Sequence, residues 1–148
     1  MSEKNYNRAA NYCSKSEHCI SELKQKFQDW QIPAEEHDDI INRLLEERFI
    51  DERRYASAYV RDKFHFNHWG KTKISLMLKA KKISSADISE ALSEIDDEEY
   101  LSSLQNLIDS QRPKIKASSE YELNAKLFRF ATSHGYESNL ISSILSSF

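Results

Sequence analysis

Nine cations lie between Asp51 and Ile83, namely Arg53, Arg54, Arg61, Lys63, Lys71, Lys73, Lys79, Lys81 and Lys82, against only three carboxylates. The local balance is +6, whereas residues 1–50 carry −3 and residues 84–148 carry −6, so the overall charge of −3 hides a basic middle between acidic ends. Ammonium and guanidinium groups at this density, with Phe66 and Trp69 among them, suit contact with phosphates or with an acidic protein face. Taken singly some are ordinary: Lys79, Lys81 and Lys82 fall where a helix should end, and the helix dipole favours positive charge there. Chance placement would not leave both flanks acidic, and it is this segregation that singles the group out.

Other chemistry lacks its residues. There is no glycine-rich phosphate loop, no Gly-x-Ser-x-Gly elbow and no His-Glu-x-x-His. His65 and His68 are three apart with no third ligand nearby, and the acidic pairs Asp38-Asp39, Asp96-Asp97 and Glu98-Glu99 fit helix starts and solvated faces. Cys13 and Cys19, six residues apart, form neither a redox pair nor a zinc set and read as packing thiols. The expectation is a protein with no catalytic residues, no metal and no cofactor.

Positioning the basic set requires helices. Two Gly and two Pro in 148 residues are too few for the turns of a sandwich or barrel, so the chain reads as all-α. No run of about 18 apolar residues suits a membrane span, and Met1 to Asn7 lacks the apolar segment of a signal peptide. A cytoplasmic monomer is expected.

Cap signals and apolar stripes divide the chain into helices. The first runs from about Asn7 to Lys15; the second starts near Cys19, with Glu22 at the capping-box position and Ile20, Leu23 and Phe27 inward; the third follows Pro33 and carries Ile40, Ile41, Leu44 and Leu45. In the middle, Asp51 caps a helix reaching about Phe64, with Ile50 stapled to Tyr55 and with Tyr55, Ala56 and Tyr59 inward. Thr72 to Lys81 follows with Ile74, Met77 and Leu78 inward, and Ser84 with Asp87 caps a helix burying Ile88 and Leu92. Asp96 then caps a stripe of Leu101, Leu104, Leu107 and Ile108 closed off by Pro113. Ser119 with Glu122 caps a helix bearing Leu123, Leu127, Phe128 and Ala131, and Gly135 takes the left-handed position after it. Ser138 starts a last helix with Ile141 and Leu145.

These nine helices repeat in threes. Ile74, Leu78, Ile83, Ile88 and Leu92 recur at an offset of 53 as Leu127, Ala131, Tyr136, Ile141 and Leu145, and Leu23, Phe27, Ile32, Ile40 and Leu44 match with a loop three residues longer. The same spacing twice over, with caps in register, indicates three tandem three-helix repeats: residues 1–49, 50–95 (basic) and 96–148. Stacked in order, each sharing a flank with its neighbour, they should form an elongated, curved helical array.

At this point the residues resemble the bacterial RecX regulatory proteins. Phe49-Ile50-Asp51-Glu52-x-Arg54-Tyr55-Ala56, followed by Tyr59-Val60 and Lys63, is similar to that family's central first-helix motif, and Gly70-x-x-Lys73-Ile74-x-x-x-Leu78-x-x-Lys81-x-Ile83 to its second. Glu17-His18-Cys19-x-x-Glu22-Leu23-x-x-x-Phe27 is a weaker match in the first repeat. This chain differs in having Cys19 where the family usually has a capping Ser, Met77 for a common acidic residue, and Lys82 for a common Gly. The resemblance implies a non-catalytic regulator that lies in the groove of the RecA–DNA filament, blocks its extension or promotes its disassembly, and so lowers ATP hydrolysis, strand exchange and LexA cleavage in DNA repair and the SOS response. It implies structural roles for Asp51, Tyr55, Ala56, Gly70, Ile74 and Leu78. Partner or DNA contacts would then fall to Arg54, Arg61, Lys63, Lys71, Lys73, Lys81 and Lys82. The residues themselves leave a second reading open, a stand-alone binder of single- or double-stranded DNA using the +6 repeat with its aromatics.

Overall fold

The computed structural model describes residues 2–146, which contain nine α-helices and one short 3₁₀ turn: α1 (Glu3–Lys15), α2 (Ile20–Asp29), α3 (Ala34–Glu46), α4 (Glu52–His65), α5 (Lys71–Ala80), α6 (Ser85–Ser93), α7 (Asp97–Gln111), the 3₁₀ turn Arg112–Lys114, α8 (Glu120–Ser133) and α9 (Ser138–Ser146). They form three successive triplets. The N-caps are those that the sequence marks: Asp51 accepts from the Arg54 amide, Ser84 from Asp87, Asp96 from Glu99 and Ser119 from Glu122. At α2 the Glu22 carboxylate reaches back to the Cys19 amide, the reciprocal half of a capping box.

Helix ends follow a common design. Gln31, Arg48, Lys82 and Gly135 all sit at positive φ just beyond α2, α3, α5 and α8, turning the chain left-handed as a C′ residue does. Three of the four are not glycine and bear the steric cost of that conformation. His68, in the α4–α5 link, is also at positive φ.

Two cores fill the array. The first triplet packs Tyr6, Ala9, Leu23, Phe27, Ile32, Ile40, Ile41, Leu44 and Ile50 around its own centre. The second and third share one continuous core, from Tyr55, Ala56, Val60, Ile74 and Leu78 through Tyr100, Leu104 and Ile108 to Leu127, Tyr136 and Ile141. At about 1.5–3 kcal/mol per fully buried large apolar side chain, each body has enough apolar contact to hold its helices together. Within the middle triplet α4 packs chiefly on α6 and more lightly on α5; in the third, α8 packs on α9.

Some details differ from the periodicity. α1 begins four residues earlier than expected, at Glu3, because Ser2 accepts from the Asn5 amide and caps it. On α7 Leu104 and Ile108 are buried as read, but Tyr100 is the inward residue of the first turn and Leu101 is exposed, because the Tyr100 ring packs at a tilt between Phe64 and Tyr136. Leu45 and Met77 lie at the margins of their stripes rather than inside.

Candidate functional site

Three groups can be told apart among the basic residues, with Lys81 shared by the first two, and Lys71 and the exposed Lys79 outside them. The first lies on one face of the α4–α5 pair, built from i, i+4 spacing: Tyr59 and Lys63 on α4, and Lys73, Met77 and Lys81 along α5 and its C-cap. Trp69, in the link between the two helices, packs edge-on to Tyr59 with ring centroids 6.4 Å apart. The Lys63 ammonium lies 5.4 Å from the Tyr59 ring centre and 5.0 Å from that of Trp69; the Lys73 ammonium lies 4.5 Å from Trp69. Each contact is worth about 0.5–1 kcal/mol and holds a flexible lysine in place. Tyr59, Lys63, Trp69 and Lys73 are all half-exposed, and burial pushes the Tyr59 hydroxyl up, so it stays a neutral donor beside these cations. A ridge of ordered ammonium groups on aromatic supports is suited to an anionic surface.

The second group is engaged within the molecule. Arg53 binds Glu90 at 2.8 Å and Glu94 at 2.7 Å, tying α4 to α6. Ser57 and Arg53 together hold the Glu94 carboxyl below its ordinary value. Arg54 donates to Glu17 at 2.6 Å and to the Arg48 carbonyl at 3.2 Å, and Lys81 pairs with Glu22 at 3.2 Å; both therefore reach from the middle triplet to the loop and first turn leading into α2. Burial pushes the Glu22 carboxyl up, but the Cys19 amide, Lys81 and His18 outweigh it and keep it below its ordinary value. The third group, Arg61 and Lys82, is exposed, and among the described residues neither side chain forms an ion pair, although the Arg61 charge helps to hold the Glu94 carboxyl down. Lys71 sits apart, its ammonium 4.8 Å over the Tyr100 ring and its amide donating to the Tyr100 hydroxyl at 2.8 Å.

Of the residues given structural roles, Tyr55, Ala56, Ile74 and Leu78 are buried and Asp51 caps α4. Gly70 does something that spacing does not reveal. Its amide donates to the His134 carbonyl at 2.7 Å and the Thr72 amide donates to the Gly135 carbonyl at 3.0 Å, so the second and third triplets touch backbone to backbone. A Cβ on Gly70 would lie 2.5 Å from the Gly135 carbonyl carbon and from the Tyr136 nitrogen; one on Gly135 would lie 2.7 Å from the Lys73 nitrogen. The chain's only two glycines meet each other. The long-range partners of Glu17 and Glu22, and the role of Tyr100, also went unmarked, since nothing local announces a partner roughly 30 to 60 residues away.

His65 and His68 border a groove of about 450 Å³ between the end of α4 and α7, along with Ser102, Asn106 and Ser110. His65 lies 3.6 Å from Glu99. Among the described residues no group of three His, Cys, Asp or Glu side chains is placed to hold a metal ion, and no helix is long and apolar enough to cross a membrane. Cys13 and Cys19 are free and buried; burial pushes the Cys13 thiol up to about 11.

Three helical triplets in series, with positive charge concentrated on the middle one, define a tandem helical-repeat protein. A family model described as RecX, second three-helix domain, matches residues 51–92. The regulatory protein RecX of Leuconostoc mesenteroides is 27% identical over 128 residues, 86% of this chain and 48% of that protein; the regulatory protein RecX of Haemophilus influenzae is 26% identical over 142 residues, 94% of this chain and 91% of that protein. The crystal structure of RecX from Lactobacillus salivarius has the same fold, with a TM-score of 0.86 at 24% identity over 97% of this chain and 94% of that one. Along its length the chain is similar in sequence and fold to the RecX regulatory proteins, and residues 51–92 match their second three-helix domain. It spans about half the length of several of the curated relatives it matches.

Proposed function

We propose that this protein is a non-catalytic regulator that docks on the RecA–DNA filament and lowers its ATP hydrolysis, strand exchange and co-protease activity, working in the cytoplasm as a monomer. The three triplets, 1–49, 50–95 and 96–148, would act as consecutive units along the filament groove, the middle one supplying the contact. The observation that carries this reading is the ridge of Lys63 and Lys73 on Tyr59 and Trp69, flanked by acidic units. A bound protein changes a filament only by binding one of its states more tightly than another, and a multi-unit body touching neighbouring subunits can do so.

The ridge favours this reading over a stand-alone DNA binder. Lys63 and Lys73 both lie against the Trp69 ring, so a base would have to displace the protein's own cations to stack there. Arg61 and Lys82 remain open contact candidates, whereas Arg54 and Lys81 are held by the first triplet.

Titration into a RecA ATPase reaction on single-stranded DNA tests the proposal: turnover should fall at substoichiometric to near-stoichiometric protein. Lys63→Glu with Lys73→Glu should weaken that inhibition while leaving helicity intact. Undiminished turnover with the unaltered protein, alongside tight, salt-sensitive binding to naked strands, would favour the DNA-binder reading.

A further inference from the structure

The two seams between triplets are built differently. The second and third triplets are welded by main-chain hydrogen bonds through Gly70 and Gly135 and by a continuous core. The first has its own core, and its contacts with the second include Arg54 to Glu17 and to the Arg48 carbonyl, Lys81 to Glu22, the Ile20 amide to the Glu52 carboxyl, and one small side chain, Cys19, inserted among the residues of the second core near Tyr55. Both ion pairs are a third or so exposed, within reach of solvent ions. Both also take their cation from the basic set and their carboxylate from the first triplet.

We propose that the first triplet is an autoinhibitory latch on the basic unit: Glu17 and Glu22 occupy Arg54 and Lys81 until a polyanionic surface takes those cations, and docking of that surface is thereby coupled to release of the first triplet. The inference rests on the reading of the basic unit as an anion-binding face. Removal of the two carboxylate charges leaves Lys81 without its counter-ion and Arg54 held only by the neutral Arg48 carbonyl, so the face binds more tightly and the seam loosens. Two exposed pairs of this kind are together worth about three- to tenfold in an equilibrium.

The test uses the full chain with a poly-dT oligonucleotide as the polyanion. Glu17→Gln with Glu22→Gln keeps a side-chain acceptor for the Cys19 amide while removing the charges. Its control, Glu35→Gln with Asp39→Asn, removes two exposed charges from the same triplet away from the seam. Affinity should rise about three- to tenfold above the control, and oligonucleotide binding should speed alkylation of Cys19, read by peptide mass spectrometry, with amide protection in α5 unchanged. Equal affinity of latch variant and control, or an unchanged Cys19 rate on binding, overturns the latch. If the oligonucleotide binds none of the proteins, nucleic acid is excluded as the polyanion that opens the latch, and the seam is then read with salt alone. Faster Cys19 alkylation in about 0.5 M salt without loss of α5 protection supports an ionic latch, and an unchanged rate refutes it.

Discussion

Substitution of Gly70 by Ala separates two physical accounts that predict opposite signs. Gly70 is the N-cap of α5 with φ −82° and ψ 171°, a conformation any residue adopts, so reduced freedom of the unfolded chain alone would make Gly70→Ala stabilising by about 0.4–1 kcal/mol. The contact with the third triplet predicts the reverse. The added methyl would lie 2.5 Å from two backbone atoms of Gly135 and Tyr136, which cannot rotate away as a side-chain tip can. Relief requires the triplets to part, weakening the Gly70–His134 and Thr72–Gly135 hydrogen bonds at about 1 kcal/mol each. Overpacking adds about 1–3 kcal/mol. The sum is a loss of about 3–5 kcal/mol, or a fall of roughly 10 °C in Tm for a chain of this size. Urea unfolding followed by circular dichroism measures it directly, as a lower midpoint at similar slope. Gly135→Ala should cost at least as much, since its φ of +91° adds strain, and the double variant should cost less than the sum because the seam parts only once. A Gly70→Ala protein as stable as the parent, or more so, would refute the close contact and with it the weld between the triplets.

Other expectations are shorter. Lys82→Gly, relieving a left-handed lysine, should stabilise by about 0.5–1 kcal/mol in the same assay, and a destabilised variant would show that the lysine side chain contributes more than its backbone costs. Phe27→Ala and Leu78→Ala should each cost about 3–5 and 2–5 kcal/mol respectively, but amide exchange should confine the Phe27 effect to α1–α3 and spread that of Leu78 through α4–α9; identical exchange patterns would argue for a single core. Because the folded Glu22 carboxyl lies below its ordinary value, its share of seam stability is present above the unfolded value and lost as pH falls through the folded one. Lys81→Met should raise the Glu22 titration midpoint seen by NMR, and an unmoved midpoint would mean that Lys81 is not its partner.

Much of the architecture was legible because it is written locally. Caps such as Asp51, Ser84, Asp96 and Ser119 act within one turn, and the 53-residue recurrence from Ile74 to Leu127 reports buried positions except at Leu92, which is half-buried while Ala91 takes the inward place on α6. The one-residue error in α7 arose because Tyr100 and Leu101 are both apolar, and only the distant Phe64 and Tyr136 decide between them. The basic region was visible as composition, but its division was not: Arg54 and Lys81 differ from Lys63 and Lys73 only through what folds against them, carboxylates at Glu17 and Glu22 in one case and the Trp69 ring in the other. Gly70 and Gly135 illustrate the same limit, since each has a sufficient local explanation as a helix end and their meeting belongs to neither segment alone.

The unequal seams also set how the molecule responds to mechanical load. A filament that stretches or twists beneath a protein gripping several subunits pulls along its length, and the strain collects at the most compliant joint. Here that joint lies between α3 and α4, where side-chain ion pairs can re-form after slipping, while the glycine weld keeps the rear two-thirds rigid. On the proposed filament reading, such a protein would act as a bar with one yielding joint, following a changing helical pitch while its middle unit keeps hold.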